Sequence, residues 1–114
     1  VNQASDDGFT PLHIACQQGQ LDLAQLLLEA GAAVSQAAED GATPLFAACE
    51  DGHLEVARLL RGAGADINQA MNNGITPLFI ACQNGHPECV QLLLEADADI
   101  SKALEDGATP LYIA

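Results

Sequence analysis

Four cysteines, three histidines and sixteen carboxylates are the groups in this 114-residue chain able to hold a metal, attack a substrate or move a proton. Their spacing argues against all three chemistries. Cys16, Cys49 and Cys82 follow one another at intervals of 33 residues, with Cys89 outside the series, and His53 and His86 share the same interval. A zinc site needs three or four converging ligands, and a pair such as His86 and Cys89 supplies two. That pair reads as a loop-capping imidazole beside a buried thiol. A thiol buried among apolar groups has a raised pKa and is inert as a nucleophile. No G-x-S-x-G or phosphate-binding G-x-x-x-x-G-K-[ST] is present, since the serines are Ser5, Ser35 and Ser101 and the single lysine is Lys102. The stretch DADISK at 97–102 opens like a calcium loop. It has Lys102 where glycine is needed and Ala108 where the closing glutamate belongs. Glu50 and Asp51 are adjacent and cannot oppose one another across a sugar, as glycoside hydrolysis requires. No catalytic residue, metal ligand or cofactor site is expected.

The net charge of −13, from sixteen acids against three bases, excludes two partner classes. Nucleic-acid binding draws on lysines and arginines that neutralise phosphates, and an anionic membrane surface makes the same demand. No apolar run approaches the ~20 residues of a membrane span. The opening VNQASDDG lacks the basic and apolar regions of a signal peptide. A protein or peptide with a basic patch is the expected partner.

The interval that spaces the cysteines spaces everything else. Residues 7–20 read DGFTPLHIACQQGQ, 40–53 DGATPLFAACEDGH and 73–86 NGITPLFIACQNGH, and the chain closes on DGATPLYIA at 106–114. Units therefore run over about 7–39, 40–72 and 73–105, with a partial fourth over 106–114. Thr10, Thr43, Thr76 and Thr109 are placed to cap helices whose first residue is the following proline. Leu12, Ala15 and Cys16 then share one helical face, and Gly19, Gly52 and Gly85 end the helix. A second helix carries Leu23, Leu26, Leu27 and Ala30, repeated as Val56, Leu59, Leu60 and Ala63 and as Cys89, Leu92, Leu93 and Ala96. Gly31 and Gly64 close it; Asp97 takes that place in the third unit, where strain is expected. Helices this short are marginal alone, so each unit must bury its apolar face on a neighbour. Stacked units set equivalent cysteines roughly 8–10 Å apart, too far for disulfides. Reduced buried thiols point to an intracellular, cytoplasmic or nuclear, setting.

TPLHIA at 10–15, GHLEVARLL at 52–60 and GADIN at 64–68 give the chain its resemblance to ankyrin repeats, over nearly its whole length. The resemblance implies an all-α solenoid, a single array over 1–114, of L-shaped helix-turn-helix units with projecting finger turns. The family's TPLH histidine occurs once, as His13, with Phe46, Phe79 and Tyr112 in its place elsewhere. The usual aspartate before the finger tip is Ser5, Ala38, Met71 or Leu104. Both departures bear on hydrogen bonding between fingers. Asn68 matches an asparagine that some relatives present for hydroxylation; turn hydrogen bonding is the simpler role.

By the same resemblance, finger tips and inner-helix ends form a concave, partner-binding edge. Here it comprises Asp6, Asp7 and Phe9; Glu39, Asp40, Ala42, Glu50 and Asp51; and Asn72, Asn73, Ile75, Gln83 and Asn84. Glu105 and Asp106 continue its acids. Two readings of the acids stand side by side: a solvated surface that aids solubility, and a groove that steers a basic ligand. Phe9 is either a partner anchor or packing for a neighbouring finger. The expected function is a non-enzymatic protein-interaction module, with a spacer segment of a larger multidomain protein and an engineered binder as alternatives. The second helix of the first unit is as leucine-rich as the internal ones, and the last unit stops after the start of its first helix, whereas end units normally present a polar face. The chain is therefore read as part of a longer array, able to stack end to end with another copy.

Overall fold

The computed structural model describes residues 4 and 8–96. Asp6, Asp7, Asp97, the 97–102 loop, Thr109, Glu105 and Asp106 lie outside the described residues, as does the partial fourth unit. Six helices follow one another: α1 (Pro11–Gln17), α2 (Leu21–Glu29), α3 (Pro44–Glu50), α4 (Leu54–Gly62), α5 (Pro77–Gln83) and α6 (Pro87–Glu95). There is no strand among the described residues.

The repeated Thr-Pro dipeptide starts the first helix of each unit. Thr10, Thr43 and Thr76 sit in extended backbone, and their hydroxyls accept the amides of His13, Phe46 and Phe79. Proline follows at N1, where its missing N–H costs nothing. α2 and α4 have no side-chain cap. Packing holds them instead.

That packing forms two layers. α1, α3 and α5 stack in one, and α2, α4 and α6 in the other, with each helix also touching its partner in the same unit. Leu12, Leu45 and Leu78 repeat at one buried column, and Leu60 and Leu93 at another. The cysteine column lies in this same core, and all four thiols are free and buried. Fully burying one leucine is worth about 1.5–3 kcal/mol, so the stacking layers supply what helices of seven to nine residues lack. Among the described residues every buried side-chain nitrogen and oxygen has a partner.

One face of the first unit carries exposed apolar side chains. Ile14, Leu23 and Leu26 are 44%, 43% and 62% exposed, whereas Ala47, Val56, Ile80 and Cys89 at the matching positions are nearly covered.

Candidate functional site

Each finger is a tight turn closed on itself. The Ala38 amide donates to the Ala42 carbonyl at 2.8 Å, and the Met71 amide to the Ile75 carbonyl at 2.9 Å. The carboxylate of Asp40 accepts the Ala42 amide and the amide oxygen of Asn73 accepts that of Ile75, both at 3.0 Å. Gly41, at φ +91°, is required twice over: its backbone is left-handed, and a Cβ there would meet the Asn72 amide nitrogen at 2.6 Å. The fingers are linked despite the loss of the usual aspartate. The Asn72 amide donates to the Asp40 carbonyl at 2.9 Å, and its side-chain Nδ2 to the Glu39 carbonyl at 2.8 Å.

Histidine does different work in the three units. In α1, His13 Nδ1 accepts the Thr10 amide at 3.0 Å while its Nε2–H donates to the Ala42 carbonyl at 2.9 Å, joining units one and two. His53 and His86 each donate Nε2–H to the end of the preceding inner helix, at the Gln17 and Glu50 carbonyls, both 3.0 Å. Asn84 Nδ2 shares the Glu50 carbonyl at 2.9 Å. Among the described residues no three His, Cys, Asp or Glu side chains converge as metal ligands. The Ser35 hydroxyl accepts the Asp66 amide at 2.9 Å, and the Asp66 carboxylate accepts the Asn68 amide at 3.1 Å, a turn role for this segment.

Three of the four thiols are raised above their ordinary range. Burial pushes Cys16 up to about 12 and raises Cys82. Cys49 donates its S–H to Cys89, which raises Cys49 further and lowers Cys89. The sequence spacing concealed this contact, because Cys89 sits on the outer helix of the next unit.

The edge expected from sequence is brought together in its central part. A notch of about 210 Å³ opens between the fingers and inner helices, with Phe9, Asp40, Ala42, Glu50 and Ile75 on its lining. Ala42 is only 6% exposed and serves as floor rather than as an edge contact. Phe9 stands edge-on to the His13 ring at 5.4 Å, with part of its surface still open. Glu39, Asp51, Asn73 and Gln83 are exposed but lie outside the notch. Asn72 and Asn84 spend their amides on the preceding unit. The sequence reading missed five lining residues, Gln17, Phe46, Ala47, Met71 and Ile80.

Burial raises the Glu50 carboxyl above its usual range, and the charges of Asp51 and Asp40 add to the effect. Among the described residues no lysine or arginine lines the notch. The two basic residues among those described, Arg58 and Arg61, lie on α4, where Arg58 pairs with Glu55 at 3.0 Å.

The sequence matches the family described as ankyrin repeats (3 copies) over residues 1–71 and again over 63–114. The chain belongs to the ankyrin-repeat family. Ankyrin repeats are in general protein–protein interaction modules rather than catalysts. Curated relatives share single-unit segments with it. Rat Ankyrin-3 is 56% identical over 34 residues, 30% of this chain and 1% of that protein. The E3 ubiquitin-protein ligase XBAT32 of Arabidopsis thaliana is 49% identical over 35 residues, 31% of this chain and 7% of that one. A probable E3 ubiquitin-protein ligase of rice, XBOS32, is 53% identical over 34 residues, 30% of this chain and 7% of that protein. The aligned segment is thus a small fraction of each relative. No helix among the described residues is long and apolar enough to cross a membrane.

Proposed function

We propose that this ankyrin array is a non-enzymatic module that binds a protein segment carrying a basic patch on the edge formed by Glu39, Asp40, Glu50 and Asp51. The observation that carries this reading is the charge at Glu50, whose carboxyl is raised by burial and by two neighbouring acids, with no lysine or arginine among the described residues on the notch lining. A partner's cation relieves that repulsion and a neutral partner does not. The fingers and inner helices are tied across units through Asn72, Asn84, His53 and His86. Such preorganisation keeps the ordering cost of binding low. A shared ankyrin segment does not carry ubiquitin transfer over to this chain.

The experiment is retention of partners on the immobilised chain, eluted by a salt gradient and compared with the Glu50→Gln, Asp51→Asn double variant. Loss of a retained protein from the variant column, together with elution at moderate salt, supports the reading. Retention that ignores both salt and the two substitutions rules out the acidic edge. If alanine at Phe9, Glu50 and Asp51 leaves every interaction of a parent protein intact, the array is a spacer.

The exposed Ile14, Leu23 and Leu26 favour a second reading, in which a further helix pair covers this face, either as another unit of a longer array or as the end of a second copy. Sedimentation across a hundredfold concentration range tests the second copy, which the Leu26→Gln variant should abolish. The reduced, buried thiols suit an intracellular compartment.

A further inference from the structure

The notch owes its existence to two alanines. Down the column of residues that follow the finger glycines, the series is Phe9, Ala42, Ile75; down the inner-helix column it is Ile14, Ala47, Ile80. The first and third units carry large apolar side chains at both places, and the middle unit carries a methyl group at both. A gap one unit wide results, walled by Phe9 on one side and by Ile75 and Ile80 on the other, with Asp40 and Glu50 on its lining. An apolar trough bordered by carboxylates matches a long side chain that is apolar along its stem and charged at its tip.

We propose, building on the acidic-edge reading above, that this notch receives one arginine side chain of the partner. The methylene stem lies over Ala42 and Ala47 between Phe9 and Ile80, and the guanidinium meets the carboxylates of Asp40 and Glu50. Arginine fits better than lysine because its planar fork can donate to two carboxylates at once, and because it is the more weakly hydrated cation. The two alanines thus determine where along the acidic edge the cation docks, and the acids determine its sign.

The test is a titration of the isotope-labelled chain, followed by amide resonances, with a blocked glycine peptide containing a single arginine. Parallel titrations use the same peptide with citrulline, which keeps the shape and removes the charge, and with lysine. The arginine peptide is expected to shift Ala42, Ala47, Glu50 and Ile75 in a saturable way and the citrulline peptide to leave them in place. Lysine should bind about threefold more weakly. Ala47→Ile copies the residue of both flanking units and fills the notch; it should weaken arginine binding by about fivefold or more. Ala42→Ile, copying the third unit, is a second filling variant, and unchanged resonances along α2 and α6, which do not line the notch, show that either variant is folded. Equal shifts from citrulline overturn the proposal, and equal affinity for lysine overturns the choice of guanidinium. If both filled variants bind arginine as wild type does, with salt-sensitive shifts spread over Glu39, Asp40, Glu50 and Asp51, the notch falls and the acidic edge stands. If neither cationic peptide perturbs the wild-type spectrum, both fall.

Discussion

His86 donates its Nε2–H to the main-chain carbonyl of Glu50, 36 positions earlier, at 3.0 Å. The ring reaches that carbonyl by lying over Gly52, where an added Cβ would stand 2.5 Å from Nδ1. The hydrogen bond that joins the second and third units therefore depends on a glycine that also ends a helix at φ +75°. Gly85 repeats the backbone conformation, at φ +73°, with nothing among the described residues within 4 Å of its missing side chain. The two glycines separate a backbone effect from a packing effect.

Gly52→Ala should accordingly cost about 2 kcal/mol, roughly half from the left-handed backbone and half from the displaced imidazole and its lost hydrogen bond. Gly85→Ala should cost only the backbone part, about 1 kcal/mol. Urea unfolding of both variants checks this. Equal losses would mean that the His86 bond contributes nothing to coupling the units.

A second pair of substitutions compares one repeat position in two settings. Leu26 is 62% exposed on the uncovered first unit, while Leu92 at the matching place is 5% exposed. Leu26→Gln should change stability by less than about 0.5 kcal/mol, and Leu92→Gln should cost about 2–4 kcal/mol, because only the latter leaves a cavity and buries an amide. Thermal melts of the two variants decide it. Identical melts would contradict stability by stacking, since both leucines sit in the same QLLLE stretch of α2 and α6.

These contrasts show where sequence sufficed. The helix starts were legible because Thr-Pro is a local signal: Thr43 needs only the Phe46 amide three residues on. The stack was legible because its period is written in the chain. What escaped was relational. Ala42 looked like an edge contact when read beside Gly41, yet it is covered, and its carbonyl accepts His13 from another unit. The notch is invisible in any single unit and emerges when Ala47 is set against Ile14 and Ile80. The Cys49–Cys89 contact crosses from an inner helix to the next unit's outer helix, and no interval of 33 announces it.

Glu50 gives the chain a pH signature. Its carboxyl is raised above the ordinary 4.5 by burial, then by Asp51 and Asp40, so the folded chain holds this proton more tightly than the unfolded chain. The stability it contributes is fully present below about 4.5, the unfolded value, and is lost as the pH rises through the folded one. Glu50→Gln removes the charge and should stabilise the chain at pH 7 by on the order of a few tenths of a kcal/mol, a small gain because solvent screens this exposed group. The gain should vanish at pH 3.5, where the wild-type carboxyl is itself protonated. Denaturant midpoints at the two pH values measure it. A gain that persists at low pH would assign the effect to packing rather than charge.

The buried thiols yield the last expectation. Cys16 is pushed from an ordinary 9.0 to about 12 by burial alone. At pH 8 its thiolate fraction is then about one in ten thousand, and the reactive form is the thiolate. Alkylation of the native chain, read peptide by peptide by mass spectrometry, should leave Cys16 unmodified over minutes that suffice to label the chain fully in guanidinium. Cys16 is 0% exposed, so its labelling also waits on opening of the first unit. Cys89 carries the opposite electronic effect, because its sulfur accepts the Cys49 S–H. It is only 1% exposed, however, so access controls its rate. A sub-denaturing urea concentration that loosens α6 should therefore bring Cys89 up first, while Cys16 in the first unit stays protected. Labelling of Cys16 at pH 8 as fast as in the unfolded chain would show that the first unit does not hold its core closed, and the stacking account would fail at that end.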